Sequence, residues 1–532
     1  MKEIKDRENR DMNDKDIHRP LHPAQEDGFY DKADEAEYER RLAEHHRRIE
    51  ERRKKRRRQV YMYRGIALVL LLLVIGLAAF GVKAAVKYCR NLLPQRIEET
   101  AATASDAQSA GAGGTESGAA QQASENSSLP AEEQKLFAQA DRLAAMYDYD
   151  GAAVLLNTSA YGTAPETVSK INSYVAAKAA AKAYDLNQVT HIFFHALIID
   201  PSRALTANTI GQSFNSAMCT KTEFERVLDQ MYKNGFVLVG LHDLGTAQTA
   251  ADGSVQMTKK QIMLPPGKKA FVLSEDDVCF YEYMTGHGFA TRMVLDADGK
   301  PAYEYTDANG KTSVGDYDIV PILDKFVEAH PDFSYHGAKA TLAFTGYNGI
   351  LGYRTDETYD PNSPNADPKN TPNPNIEQDR NTVKQLTKVL KEDGYTFASH
   401  SWGHINFTTS DIDRITKDTD RWERNVEPLL PDPCDIFIFP FGADIADWHA
   451  YTPDNAKFAL LEQAGFRYFC NVDSSQYWLQ YGGNFLRMGR RDIDGYRLYE
   501  AYSGGTNRLS DLFDVQSVFD TVRPTPIGWN YN

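Results

Sequence analysis

Two stretches far apart in a chain of 532 residues carry side chains that could do chemistry together. One is Phe397-Ala398-Ser399-His400-Ser401-Trp402-Gly403-His404, and the other is Leu273-Ser274-Glu275-Asp276-Asp277. Two imidazoles and two adjacent carboxylates can hold a divalent metal and leave one carboxylate free as a base. That is the minimum for metal-assisted hydrolysis of an ester or amide.

The His-x-x-x-His spacing is weak evidence alone, because 13 histidines in a chain of this length generate such pairs by chance. Three occur: His18/His22, His191/His195 and His400/His404. The first lies in a charged tail without apolar pattern and reads as solvated. The second lies in an apolar run with strand character, where four residues span roughly 13 Å, too far for both rings to bind one ion. The third follows a strand-like Tyr395–Ala398 and precedes a polar stretch, where a turn or helical start would put both rings on one face.

From Thr190 onward, apolar β-rich runs alternate with helical patterns. Strands are expected at Ile192–Ile199, Phe236–Leu241, Ala270–Leu273, Ala340–Phe344, Thr396–Ser399, Ile436–Phe439 and Tyr468–Val472. Helices are expected at Thr222–Asn234, Ile319–His330, Thr382–Asp393 and Asn455–Ala464. Such alternation implies a parallel sheet or barrel, whose chemistry collects at the C-terminal strand ends. Asp276, Asp277, His400, His404 and Asp473 all stand just after expected strands. The Pro/Asn/Asp-rich stretch Asp356–Arg380 reads as a long loop.

The rest of the chain reads as delivery. Residues 1–60 form a charged tail, polar at first and then helix-favouring up to Arg58. Residues 61–85 contain the uncharged run Gly65–Val82, at the short end of a membrane-spanning helix. Arg52-Arg-Lys-Lys-Arg-Arg-Arg58 just before it places the N-terminus in the cytoplasm and the remainder outside, as a single-pass anchor. Residues 94–130 are an Ala/Ser/Gly-rich flexible linker. Residues 131–189 are helical: Tyr147–Leu156 resembles one tetratricopeptide-type unit, and one unit cannot stand as a solenoid, so a stalk packed on the next domain is the simpler reading. Residues 190–532 form the α/β domain. A net charge of −15 argues against a nucleic-acid partner. Five scattered cysteines without a Cys-x-x-Cys pair give neither a disulfide scaffold nor a thiolate zinc site.

Residues 190 to about 500 resemble the polysaccharide deacetylases of the NodB-like fold, carbohydrate esterase family four. Ile192-Phe-Phe-His195 is similar to that family's opening strand. Phe271-Val-Leu-Ser-Glu-Asp-Asp277 is similar to its Thr-Phe-Asp-Asp motif, with Ser274 and Glu275 in place of Thr and Phe. His400-Ser-Trp-Gly-His404 matches its His-Ser/Thr-x-x-His motif, and Phe439-Pro-Phe-Gly442 resembles Pro-Tyr-Gly. Asn471-Val-Asp473 with Trp478 is a looser match to its Asp…Trp motif. The resemblance implies a distorted (β/α) barrel that removes acetyl groups from N-acetylated sugars of a cell-wall or extracellular glycan. It implies Asp277, His400 and His404 as ligands of a divalent metal, commonly zinc, and Asp276 as general base toward the attacking water. The backbone N–H of Phe441 would help stabilise the oxyanion. Substrate contacts are expected from Trp402, Pro440, Asp473 and Arg491, although packing would explain Trp402 equally well.

Two departures stand out. Ile438 occupies the place of an arginine before the Pro-Tyr of the family's third motif, and Arg490 or Arg491 could supply that charge from another loop. The family's late histidine, a general acid, has no counterpart after His449, which leaves His195 and His449 as candidates. The same departures support a second reading, an inactive glycan-binding module on a deacetylase scaffold. A third, a scaffold that recruits a partner through residues 131–183, rests on the single helix pair.

Overall fold

The computed structural model describes residues 130–446, 449–472 and 477–524. The charged tail, the apolar run within 61–85, the linker up to residue 129 and Asp473 lie outside the described residues. Among the described residues no helix is long and apolar enough to cross a membrane.

Three helices come first: α1 (Ala131–Ala145), α2 (Tyr149–Asn157) and α3 (Pro165–Ala180). They share a small core of Phe137, Ala140, Ala152, Leu156 and Tyr174. The chain then enters a barrel whose strands are β1 (Thr190–Phe194), β2 (Phe236–Leu238), β3 (Lys269–Glu275) and β4 (Thr341–Phe344). These are followed by β5 (Thr396–Ser399), β6 (Ile436–Ile438), β7 (Tyr468–Val472) and β8 (Leu486–Asp492). Parallel pairings run β1-β3-β4-β5-β6-β7-β8 and back to β1, closing a seven-stranded ring. Strand β2 pairs with the first half of β3, on the edge whose second half pairs with β4. That split edge distorts the barrel.

Helices α4 (Lys221–Lys233), α5 (Ile319–Ala329), α6 (Ile376–Glu392), α7 (Ile412–Asn425) and α8 (Ala456–Gln463) fall between successive strands. Helix α4 shows why such segments form. Thr220 and Glu223 make a reciprocal capping box, and Phe224, Val227, Leu228 and Met231 recur on one buried face. Helix α6 begins six residues before the expected Thr382, because Ile376 at its start is buried and anchors the end of the preceding loop.

Strand β8 and helix α7 were not among the expected elements. Strand β8 reads Leu-Arg-Met-Gly-Arg-Arg-Asp, so three arginines and a glycine erase any apolar alternation. Strand alternation nevertheless governs the interior. Val272, Ala343, Ala398, Ile436, Ile438, Cys470, Leu486 and Met488 belong to one buried apolar cluster. Continuing each inward row toward the C-terminal strand ends gives Ser274 and Asp276 after Val272, His400 after Ala398, and Arg490 after Met488. The polar mouth is therefore the top layer of the same alternation.

Candidate active site

Strand β3 delivers both carboxylates. The Asp276 N–H donates to the Phe194 carbonyl (2.9 Å), extending the β1–β3 ladder by one bond. Asp277 then turns the chain away with φ 59°, a left-handed conformation that Asp tolerates better than most residues. Arg354 holds the loop beyond, donating to the carbonyls of Cys279 (3.3 Å), Phe280 (2.7 Å) and Asn348 (2.8 Å).

The two histidines follow β5. The His400 N–H bonds the Phe344 carbonyl (2.9 Å), and its Nδ1 lies 2.8 Å from the Ile438 carbonyl. A proton on Nδ1 donated to that carbonyl leaves the Nε2 lone pair free to ligate. Ser401 (φ 63°) and His404 (φ 50°) bend the next turn back. Asp418 of α7 holds the turn by accepting from the N–H groups of Trp402 (2.9 Å) and Gly403 (2.7 Å).

The result is compact. Asp277 Oδ1 lies 3.9 Å from His400 Nε2 and 3.8 Å from His404 Nε2. One donor atom from each of the three residues falls within 4.8 Å of the others. Two imidazoles and one carboxylate suit zinc, and pairwise separations slightly wider than those of a tetrahedral site need only a small inward adjustment. Burial pushes the His404 pKa down to about 4, so the ring is neutral and able to ligate near pH 7. The donor set therefore fits a divalent metal. Tyr281 donates to Asp277 Oδ1 (2.7 Å) from behind and fixes that carboxylate.

Asp276 sits beside this cluster, its Oδ2 3.9 Å from His400 Nε2. Burial alone would raise its pKa, but the Arg490 guanidinium outweighs burial and holds the carboxyl well below the usual range. The pairing is bidentate, at 2.7 Å to Oδ1 and 2.9 Å to Oδ2. Asp276 is therefore ionised at neutral pH.

The other expected residues divide. His195 follows β1 on the inward row of His191 and Phe193, close enough to act electrostatically on Asp276, Asp277 and His404. Phe441 lies in a tight turn after β6 (φ 59°), its ring 4.4 Å from that of His404. Gly442 closes the turn against β7, where a Cβ would come within 2.3 Å of Val472. Pro440 is buried in the same turn.

Arg491 departs from expectation. Adjacent strand residues face opposite ways, so Arg490 points inward while Arg491 points outward to Asp511 (2.7 Å) and Thr190 (3.3 Å). Trp402 donates its Nε1–H to Asp356 (2.7 Å), with the Arg421 guanidinium 4.2 Å from a ring centroid. His449 is exposed, and its carbonyl accepts from the buried Arg487 (2.7 Å). Sequence reasoning missed Tyr281, Asp356 and Asp418. Asp418 carried no signal because its helix was not expected, and only the fold brings Tyr281 and Asp356 to the loops they hold.

The structure thus joins a seven-stranded parallel barrel, a metal-type triad and a second, ionised carboxylate at its C-terminal mouth. Residues 323–469 match the family described as Polysaccharide deacetylase, so the chain carries a polysaccharide deacetylase domain. The match includes His400, His404, Pro440 and Phe441, and excludes Asp276, Asp277 and Arg490. No curated protein matches the chain. Among solved structures the chain is similar to the Streptococcus pyogenes deacetylase PplD in complex with acetate, at 14% identity over 61% of this chain and 98% of that one, with a TM-score of 0.31. It is similar to a de-N-acetylase from Aggregatibacter actinomycetemcomitans, at 13% identity over 61% and 99%, TM-score 0.32. It is also similar to IcaB from Ammonifex degensii, at 14% identity over 57% and 91%, TM-score 0.28.

Proposed function

We propose that this protein hydrolyses N-acetyl groups from an extracellular or cell-wall polysaccharide of N-acetylglucosamine type, releasing acetate. The observation that carries the reading is the Asp277–His400–His404 cluster beside a separate, arginine-held Asp276, within a chain that matches a deacetylase family. A zinc ion held by the three ligands would polarise the acetyl carbonyl and acidify the attacking water.

The chain's own groups supply the remainder. Asp276 accepts the proton of the attacking water. The Phe441 N–H, in the turn beside His404, donates to the oxygen that gains negative charge. His195 protonates the departing amine, since its imidazole stands on the inward row at the mouth, beside Asp276, Asp277 and His404. Asp473 contacts the sugar in this reading, whereas Pro440 is buried and shapes the turn that carries Phe441. Arg491 is left out of that set, because its guanidinium is committed to Asp511. The arginine tract Arg52–Arg58 followed by Gly65–Val82 supports a single-pass anchor with the barrel outside the cell.

The rival reading, an inactive glycan-binding module, drew partly on Ile438. The Arg490–Asp276 pair removes that motive, since the carboxylate has a guanidinium partner after all. Acetate release from N-acetylglucosamine oligomers and peptidoglycan, measured on the full-length protein in detergent with and without added zinc, tests the proposal. Zinc-dependent release is expected, and glycan affinity without turnover would select the binding module. His195→Ala should lower turnover about 10²–10⁴-fold with zinc content unchanged. A loss under about threefold in a folded variant would remove His195 from the chemistry and leave His449 next in line.

A further inference from the structure

The guanidinium that holds Asp276 arrives from β8, a strand without an apolar sequence pattern. Resting on the deacetylase reading above, we propose that Arg490, seated on Phe193, Ser274 and His191, is the positioning residue of the catalytic base and stands in for the arginine that Ile438 displaces.

Both oxygens of Asp276 accept from Arg490, which fixes the plane of the carboxylate as well as its charge. An ionised carboxylate offers about four acceptor directions, so two remain for the attacking water after the guanidinium has taken its pair. Oδ2 is at once an Arg490 acceptor and the oxygen 3.9 Å from His400 Nε2, so the fork orients the free lone pairs toward the metal-type cluster.

Arg490 is itself held on several sides. Its guanidinium carbon lies 4.1 Å from the Phe193 ring centroid, and one nitrogen donates to Ser274 Oγ at 3.2 Å. Ser274 Oγ lies 2.9 Å from His191 Nε2, so the serine joins histidine and arginine in one buried network. Burial first, and Arg490 second, push the His191 pKa far down, so His191 serves this network as a neutral ring. Arg490 is therefore the positive charge of the network, and it is matched to Asp276. Position 438 opens onto the same interior. Ile438 registers with Cys470 and Cys470 with Met488, one inward step below Arg490, whose neighbour on β7 is Val472. The apolar residue on β6 and the arginine on β8 thus occupy neighbouring inward layers, with Arg490 one step nearer the C-terminal mouth.

A merely structural ion pair would stabilise the barrel without setting reactivity, and kinetics separate the two. Acetate release, KM for an N-acetylglucosamine oligomer, zinc content and thermal melting are measured on full-length wild type, Arg490→Lys, Arg490→Met and Ser274→Ala. The lysine keeps the charge but loses the fork, so kcat should fall about tenfold to a hundredfold, with KM within about threefold and zinc content unchanged. Arg490→Met should lose at least as much, and Ser274→Ala about threefold to tenfold, in keeping with its indirect contact. Variants that keep kcat within threefold of wild type would overturn the assignment. So would a kcat loss that tracks zinc loss, or failure of both arginine variants to fold, since either makes Arg490 structural. No acetate from wild type would sink the deacetylase reading and this inference together, whereas active wild type with unaffected variants would sink this inference alone.

Discussion

The two mouths of the barrel are built from the same strands and filled by opposite rules. At the N-terminal mouth the interior cluster continues into Tyr147, Leu244, Leu264 and Tyr335, all apolar bodies with any polar tip satisfied. Tyr147 stacks on Tyr335 with ring centroids 6.0 Å apart, and its hydroxyl donates to the Asp332 carbonyl at 2.7 Å. At the C-terminal mouth the same alternation ends in Asp276, His400 and Arg490, each almost wholly buried. Left-handed backbone occurs at both ends, at Tyr147 (φ 67°) and His336 as well as at Asp277 and His404, so strained backbone does not single out the site. What separates the mouths is the chemistry that is buried. One end buries apolar area and contributes stability, and the other buries charge at a cost in stability and gains reactivity.

Paired substitutions can break this contrast. Asp276→Asn should cut kcat about 10²–10⁴-fold while zinc content holds, because the neighbouring triad is left intact. Tyr147→Ala should do the reverse, costing about 3–5 kcal/mol of stability as large aromatic truncations do, with kcat of the folded enzyme unchanged. Steady-state kinetics and urea unfolding on both variants check the pair. A Tyr147→Ala enzyme that is folded yet slow would mean that the two ends are coupled.

The polar mouth was legible in the sequence where its signal was local. Strands β5 and β7 fall at the expected residues, and His400, His404 and Asp277, the set implied by the family resemblance, lie together at the ends of their strands. Strand β1 ends at Phe194, short of the expected Ile199, because the chain leaves the barrel ladder there and Ile198 pairs instead with Thr220 in an isolated parallel bridge. Strand β8 was invisible for a different reason. Arg487, Arg490 and Arg491 read locally as a solvated run, and only partners distant in sequence (Asp444, Asp276 and Asp511) make their burial tolerable. Helix α7 hid likewise behind charge, since Ile415 and Trp422 are its only large apolar buried residues.

Glu275 sharpens the comparison from the outside of the same strand. It occupies the place of the family's Phe, fully buried in the layer between barrel and helices, with neither carboxylate oxygen bonded to the protein. Burial, with Asp318 nearby, pushes its pKa far up, and burial pushes Asp318 to about 7. Both folded pKa values lie above their unfolded ones. The folded state therefore holds extra protons, and this contribution is intact below about pH 4 and lost as pH rises through 7. Glu275→Gln should raise stability by about 1–3 kcal/mol at pH 8 and change it little at pH 4. Calorimetry at the two pH values checks the difference, and equal effects at both would show that Glu275 is not a charge held at a cost.

Trp402 tests the smallest claim, that aromatic character at the polar mouth serves the loop before it serves a sugar. Its Nε1–H satisfies Asp356 Oδ2 at 2.7 Å, and Asp356 is almost wholly buried, so the bond saves a desolvated carboxylate from losing a donor. Its carbonyl accepts from the N–H groups of Gly346 and Tyr347, both at 2.9 Å, which ties the metal-type loop to the end of β4. Gly346 lets the indole lie flush, because a Cβ there would come within 2.4 Å of the ring, and Arg421 stacks on the indole as well. A ring packed in this way has little surface left for a pyranose. Trp402→Phe keeps the aromatic body and deletes only the donor, so stability should fall by about 1–2 kcal/mol. KM for an N-acetylglucosamine oligomer should stay within about twofold, because sugar contact is not what the indole provides. A tenfold rise in KM with an unshifted unfolding midpoint would reverse the assignment and make Trp402 a sugar platform. Asp356 is then the control: if the indole acts through it, Asp356→Asn should reproduce the stability loss of Trp402→Phe, and the double variant should cost less than the two single losses added together.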